Sequence, residues 1–185
     1  MKKISMILPL ALILCFMVGC QDKEAMAERE VFRFRAQEAL EEQNIEIVRR
    51  YFESVDKGDV ESLLVLVDEI FAPDYIDNSA SYVEHGIEGV KKHVKFAFNT
   101  FGDMRHGLEE MIAEGDLVCI RGTFQATHKG DFMGVQPTGT KLTCPMLWMF
   151  RVKEGKIQEG WIDWDSLFSM AMQLGMELKP KEGEK

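Results

Sequence analysis

Apolar residues change their spacing once along this 185-residue chain, from a period near 3.6 to a period of two. Val48, Tyr51, Phe52 and Val55 fall at i, i+3, i+4 and i+7, which predicts a helix face turned to a core and stopped by Lys57-Gly58. Asp59 is a good N-cap for a second helix whose apolar positions Val60, Leu63, Leu64, Val67, Ile70 and Phe71 keep that period, and Pro73 prevents its continuation. Tyr75-Ile76-Asp77-Asn78-Ser79 reads as a loop or short strand. A third helix is expected from Ile87 to Phe101, with Val90, Val94, Ala97 or Phe98, and Phe101 on one side.

After Gly102 the pattern alternates. Glu114-Gly115-Asp116 reads as a hairpin turn between strands Gly107 to Ala113 and Leu117 to Thr127, and Gly130 to Thr140, rich in Gly, Pro and Thr, as a longer loop. Lys141 to Val152, a tight turn at Lys153-Glu154-Gly155-Lys156, Ile157 to Trp164 and a last helix over Ser166 to Leu174 complete the series. Helices followed by an antiparallel meander predict an α+β domain, with helices covering one face of a curved sheet. A cavity between the layers is the natural ligand site.

The N-terminus has a different character. Met1-Lys2-Lys3 is a positive start, Ile4 to Phe16 an apolar stretch short of the ~20 residues of a membrane span, and Met17-Val18-Gly19-Cys20 a small-residue junction. That junction resembles a bacterial lipobox, in which Cys20 becomes the lipidated first residue, although Met17 stands where Leu is usual. The organisation expected is a lipoprotein signal peptide over 1–19, a tether turning helical over 20–41, a folded domain over 42–178 and a tail over 179–185. The protein is then exported and lipid-anchored to the bacterial cell envelope through Cys20. The alternative is an ordinary signal peptide or a single anchor with an incidental Cys.

Charge and cysteines narrow the partners. Acidic residues outnumber basic ones, 31 to 22, for a net charge of −9, and no Lys/Arg-rich stripe occurs, so nucleic acid is an unsuitable partner. Removing residues 1–19, which hold two lysines and no acids, lowers the charge to −11. Cys119 and Cys144 are the only cysteines beyond Cys20. The predicted hairpin sets Cys119 opposite a residue near 148, about four residues or ~13 Å from Cys144, too far for a disulfide.

Candidate chemistry concentrates at the end of the chain. Alternation groups Glu159, Trp161, Asp163 and Asp165 on one face of the last strand, with Ile162 and Trp164 on the other. If the first face meets the cavity, desolvation raises the pKa of Asp165 toward that of a useful general acid or base. Asp165 also stands where an N-cap belongs, and both readings remain open. His128, in Thr127-His128-Lys129-Gly130, is placed to polarise a carbonyl or orient a water, or else to bond a loop backbone at a strand end. The four histidines are dispersed without ligand spacing, so no metal is expected, and His93 reads as a core-edge residue. Met146, Met149, Met170 and Met172 suit a lining or core. There is no Gly-rich phosphate loop, no Ser nucleophile elbow and no Cys-centred dyad.

Several segments in order resemble the SnoaL-like polyketide cyclases, or ester cyclase group, of the nuclear transport factor two-like superfamily. They are Asn44 to Phe52 with Lys57-Gly58-Asp59, Phe71-Ala72-Pro73-Asp74-Tyr75, Glu114-Gly115-Asp116 with Arg121, and Thr127 to Gly134 with Pro137-Thr138-Gly139. Phe150-Arg151 with Gly155-Lys156-Ile157, then Glu159, Trp161, Trp164-Asp165 and Gln173-Leu174-Gly175, complete the match over roughly residues 42 to 176. The resemblance implies a cone-shaped α+β fold with an apolar pocket, a homodimer, and cofactor-free ring closure in which an aspartate matching Asp165 is the general acid/base. The site then comprises Asp165 and His128 as catalytic residues, and Tyr75, Asn78, Phe132, Trp148, Phe150 and Trp161 around a small apolar carbonyl compound. The chain departs from relatives at Asn78, where a His is common, and has no His over Lys141 to Arg151. Two readings follow: an enzyme of the cyclase, isomerase or hydrolase type, or a surface lipoprotein that binds a small molecule without chemistry. Export counts against polyketide closure beside a cytoplasmic synthase.

Overall fold

The computed structural model of the chain describes residues 7–79 and 84–177, with the side chains of 7–22 and 164–167 excepted. It divides into two units, Met1–Leu40 and Glu41–Lys185. Helix α1 (Ile7–Lys57) supplies the described backbone of the first unit, whose side chains from Lys23 to Leu40 are exposed. The Cys20 side chain falls outside the described residues, and among those residues no helix is long and apolar enough to cross a membrane.

In the second unit the helix faces form as their periodicity requires. Val48, Tyr51, Phe52 and Val55 are buried along α1. Gly58 takes the left-handed backbone conformation (φ +78°) that ends the helix. Asp59 caps α2 (Val60–Ile70), its carboxylate accepting the Ser62 amide N–H at 3.2 Å and the Ser62 hydroxyl at 2.6 Å. Leu63, Val67 and Ile70 face the core.

α2 runs directly into β1 (Phe71–Asp77), the strand alternative for this stretch, and Phe71 opens the strand instead of continuing the helix. Pro73 is tolerated there because β1 is an edge strand. α3 (Gly86–Thr100) follows, then β2 (Phe101–Glu114), β3 (Leu117–His128), β4 (Lys141–Lys153), β5 (Lys156–Ile162) and α4 (Trp164–Gln173). The sheet order is β1-β5-β4-β3-β2, with β2 to β5 an antiparallel meander and β1 parallel to β5. The expected α+β fold is thus present, and its sheet is mixed rather than wholly antiparallel.

β2 starts six residues earlier than its alternation suggests. Asp103 has φ +52° and the pairing with β3 slips between Gly102 and Arg105, so a bulge breaks the period of two. Cys119 pairs with Met149 and Cys144 with Phe124, five residues apart in register, and both thiols are free.

The sheet's inner face is read from β4, where Leu142, Cys144, Met146, Phe150 and Val152 are buried. Beyond the end of β5, the free edge of β4 is closed by side chains. Leu147 N–H donates to Asp163 Oδ1 at 3.0 Å, and Gln173 both accepts from Thr143 N–H (3.1 Å) and donates to Thr143 C=O (2.9 Å). Pro145 lies between them at the same parity, where its missing N–H leaves no donor unsatisfied.

Candidate active site

The helices and the inner sheet face enclose a cavity of about 410 Å³, within the range of about 300–1,000 Å³ typical of small-molecule sites. α1 contributes Tyr51, Phe52 and Val55, and α3 contributes His93, Val94 and Phe96 to Phe98. The sheet contributes Met104, His106, Phe124, Met146, Trp148 and Ile162, all from its inner face. Phe132 and Met133 enter from the β3–β4 loop and Met170 from α4. The wall is therefore apolar and aromatic, with polar groups at Tyr51, Asp77, Ser79, His93, His106 and Asp163.

His106 is the most constrained of these. Its Nδ1 lies 2.6 Å from Asp56 Oδ1, and its backbone N–H donates to Asp56 Oδ2 at 2.8 Å. Its ring packs beside Phe52 (5.0 Å between centroids), Phe124 (5.1 Å) and Trp148 (6.3 Å). Burial acts to raise the Asp56 pKa, but the two bonds from His106 and the nearby Arg105 guanidinium together hold the carboxyl below its ordinary value.

A second polar region gathers around Asp77. Its Oδ1 accepts the Ser79 N–H at 2.8 Å, and its amide donates to His85 Nδ1 at 3.1 Å. Ser79 Oγ is buried and has no hydrogen-bond partner among the described residues. Burial, then the Asp77 charge, pushes the Tyr51 phenol well above its ordinary value, so its hydroxyl stays protonated and able to donate. His93 lines this cavity, and the surrounding protein desolvates its imidazole and lowers its pKa, Asp77 opposing. It is neutral at pH 7.

Of the residues expected at the site, Phe132 and Trp148 line the cavity. Asn78 is exposed and absent from the wall, although its neighbours Asp77 and Ser79 belong to it. Tyr75 is a buried core residue packed on Phe71, and Phe150 is buried behind Phe52 and Trp148. Trp161 lies on the opposite sheet face, paired with Met149 and with the Arg151 guanidinium 5.8 Å from its ring centroid. The register that pairs Trp148 with Ile162 turns Ile162 inward, and both faces of β5 carry large apolar side chains, so alternation alone could not choose between them.

His128 is fully buried and outside the cavity wall. Thr138 N–H donates to its Nδ1 at 3.3 Å, with Thr138 Oγ1 at 3.0 Å, so it anchors the β3–β4 loop. That is the arrangement of the loop-bonding alternative. The Asp165 side chain lies outside the described residues. Its backbone sits in the first turn of α4, which begins at Trp164 rather than at Ser166, and so not at an N-cap position. Sequence reasoning missed Tyr51, Asp77, His93 and His106; the available signal for His106 was its parity with Met104 on an inward-facing strand. Among the described residues no cluster of His, Cys, Asp and Glu could hold a metal ion.

An α+β cone around an apolar cavity with few titratable groups defines a nuclear transport factor two-like protein. The family model for SnoaL-like polyketide cyclases matches residues 45–174, and the chain belongs to that family. Among solved structures it is similar to wild-type IdmH from Streptomyces antibioticus, at 30% identity over 72% of this chain and 99% of that one, with a TM-score of 0.60. A SnoaL-like protein from Jannaschia sp. CCS1 is 25% identical over 74% of this chain and 95% of its own (TM-score 0.65). TsrD from Streptomyces laurentii, 23% identical over 71% and 94%, shares the fold (TM-score 0.63). No curated protein sequence matches the chain.

Proposed function

We propose that this protein carries out cofactor-free general acid/base chemistry, of the cyclase, isomerase or hydrolase type, on a small, largely apolar carbonyl compound. The observation that carries this reading is the cavity of about 410 Å³ whose apolar wall is interrupted by a few convergent polar groups, among them a protonated Tyr51 and a neutral His93. An apolar wall selects an apolar substrate. Neutral donors in it polarise a carbonyl oxygen more strongly than in water, because the local dielectric is low. Asp165 is the proposed acid/base. Family resemblance supports that role. The residues over 1–20 support a second proposal, that the protein is exported and held at the cell envelope by a lipid on Cys20.

The test is exchange of the α-protons of 2-tetralone, an apolar enolisable ketone, in deuterium oxide. Acceleration by the wild type and its loss in Asp165→Asn support the proposal. Binding without exchange favours a non-catalytic ligand carrier.

A further inference from the structure

Asp56, at the C-terminal end of α1, grips His106 of β2 twice, through the backbone amide and through the ring. The amide bond alone would tie helix to strand. The second bond fixes the ring, and that ring lines the cavity while its side chain is only 5% exposed overall. An ionised carboxylate can only accept, so the hydrogen-bond network assigns the proton to Nδ1 and leaves the lone pair on Nε2 in the neutral imidazole. Phe52, Phe124 and Trp148 pack around the ring and prevent it from turning.

We propose that His106 Nε2 is a proton acceptor of the cavity, with Asp56 as its positioning residue and an enolisable carbonyl compound as its substrate class. The inference deepens the acid/base reading above and rests on it. The Nε2 lone pair takes a proton from the carbon α to the carbonyl. The C–H electron pair becomes the enolate double bond and the carbonyl π pair moves to oxygen. No oxidant or reductant is needed. The Asp56 carboxylate stabilises the imidazolium as it forms. Asp165 then keeps the acid's task, supplying the proton that returns after His106 has taken one.

The other charged or titratable groups around His106 are Arg105, whose guanidinium donates to the carbonyls of Asp56 and Met104 at 2.7 Å, and, within the cavity wall, Tyr51, His93, Asp77 and Asp163. The facing wall residues of β3 and β4, Phe124, Met146 and Trp148, are uncharged.

The probe is 5-nitrobenzisoxazole, which a base opens unaided: the ring C–H proton is removed, the N–O bond breaks and a cyanophenolate forms. Wild type is expected to turn it over, and His106→Gln to lower kcat/KM by at least about 100-fold. Asp56→Asn should lower kcat while leaving KM largely unchanged, since it frees the ring of the base without altering the apolar wall. A wild type no faster than free imidazole, an unchanged His106→Gln, or an unchanged kcat in Asp56→Asn overturns the proposal. If Asp56→Asn does not fold, nitrogen-15 NMR of the wild-type ring decides the positioning claim: an Nδ1–H tautomer is expected, and an Nε2–H tautomer overturns it. Ketone exchange without His106-dependent benzisoxazole opening rejects His106 alone. The converse result rejects the carbonyl reading and keeps the base.

Discussion

The hydroxyl of Tyr75 on β1 occupies the space over Cα of Gly160 on β5, so a Cβ added at Gly160 would overlap that oxygen. This contact fixes how closely the parallel edge strand approaches the meander, and it explains why Tyr75 is a wedge in the core rather than a wall of the cavity. Gly160→Ala is expected to destabilise the protein by about 1–3 kcal/mol through overpacking. Tyr75→Phe in the same chain removes the offending oxygen and should recover much of the loss. Chemical denaturation of the two single variants and the double variant checks this; additive losses would contradict it.

The Asp56–His106 link makes a pH-dependent contribution to stability. The folded-state pKa of Asp56 is lowered from an ordinary 3.8, so its stabilisation is complete above about that value and is lost as pH falls through the lower folded value. Asp56→Ala should cost about 2 kcal/mol at neutral pH, since it leaves a buried N–H and a buried ring nitrogen without their acceptor. As pH falls through the lowered folded value, the difference between variant and wild type should shrink. Urea denaturation at pH 7 and pH 3 measures it, and a pH-independent difference would contradict the assignment.

Helix faces were legible because their apolar period is strict. Val48 to Val55 on α1 and Leu63 to Ile70 on α2 are buried at the positions their spacing indicates. The strand end of the site was less legible. Trp161 and Ile162 are adjacent and both large, so the alternation of β5 has no preferred sign until pairing with Trp148 sets it. The first half of β2 was hidden by the bulge at Gly102–Asp103, and His106 with it. Its partner Asp56 lies 50 residues away in sequence, a separation over which no periodicity carries information.

Two of the three tryptophans give the cavity a direct optical readout once the third, Trp164, is replaced by Phe in every variant. Trp148 lines it and Trp161 lies on the opposite sheet face. Titration with an apolar quencher such as 2-nitronaphthalene should quench the emission of Trp161→Phe, which keeps Trp148, and leave the Trp161 contribution in Trp148→Phe largely unchanged. Equal quenching of both variants would argue for binding elsewhere.

Anchoring at Cys20 predicts that the full chain, expressed in bacteria, takes up labelled palmitate and partitions with membranes. Cys20→Ser should abolish labelling and release the protein from the membrane fraction. Persistent labelling in the variant would contradict lipidation at this residue.

The central claim is acid/base chemistry on an enolisable carbonyl, and the most direct test is the rate at which 2-tetralone exchanges its α-protons for deuterium in the presence of a soluble form beginning near Ala25. Exchange well above the buffer rate, reduced by at least about 100-fold in Asp165→Asn while quencher binding at Trp148 persists, is the predicted result. Bound ketone with no exchange above buffer would contradict the claim and leave a protein that holds its ligand without reacting with it.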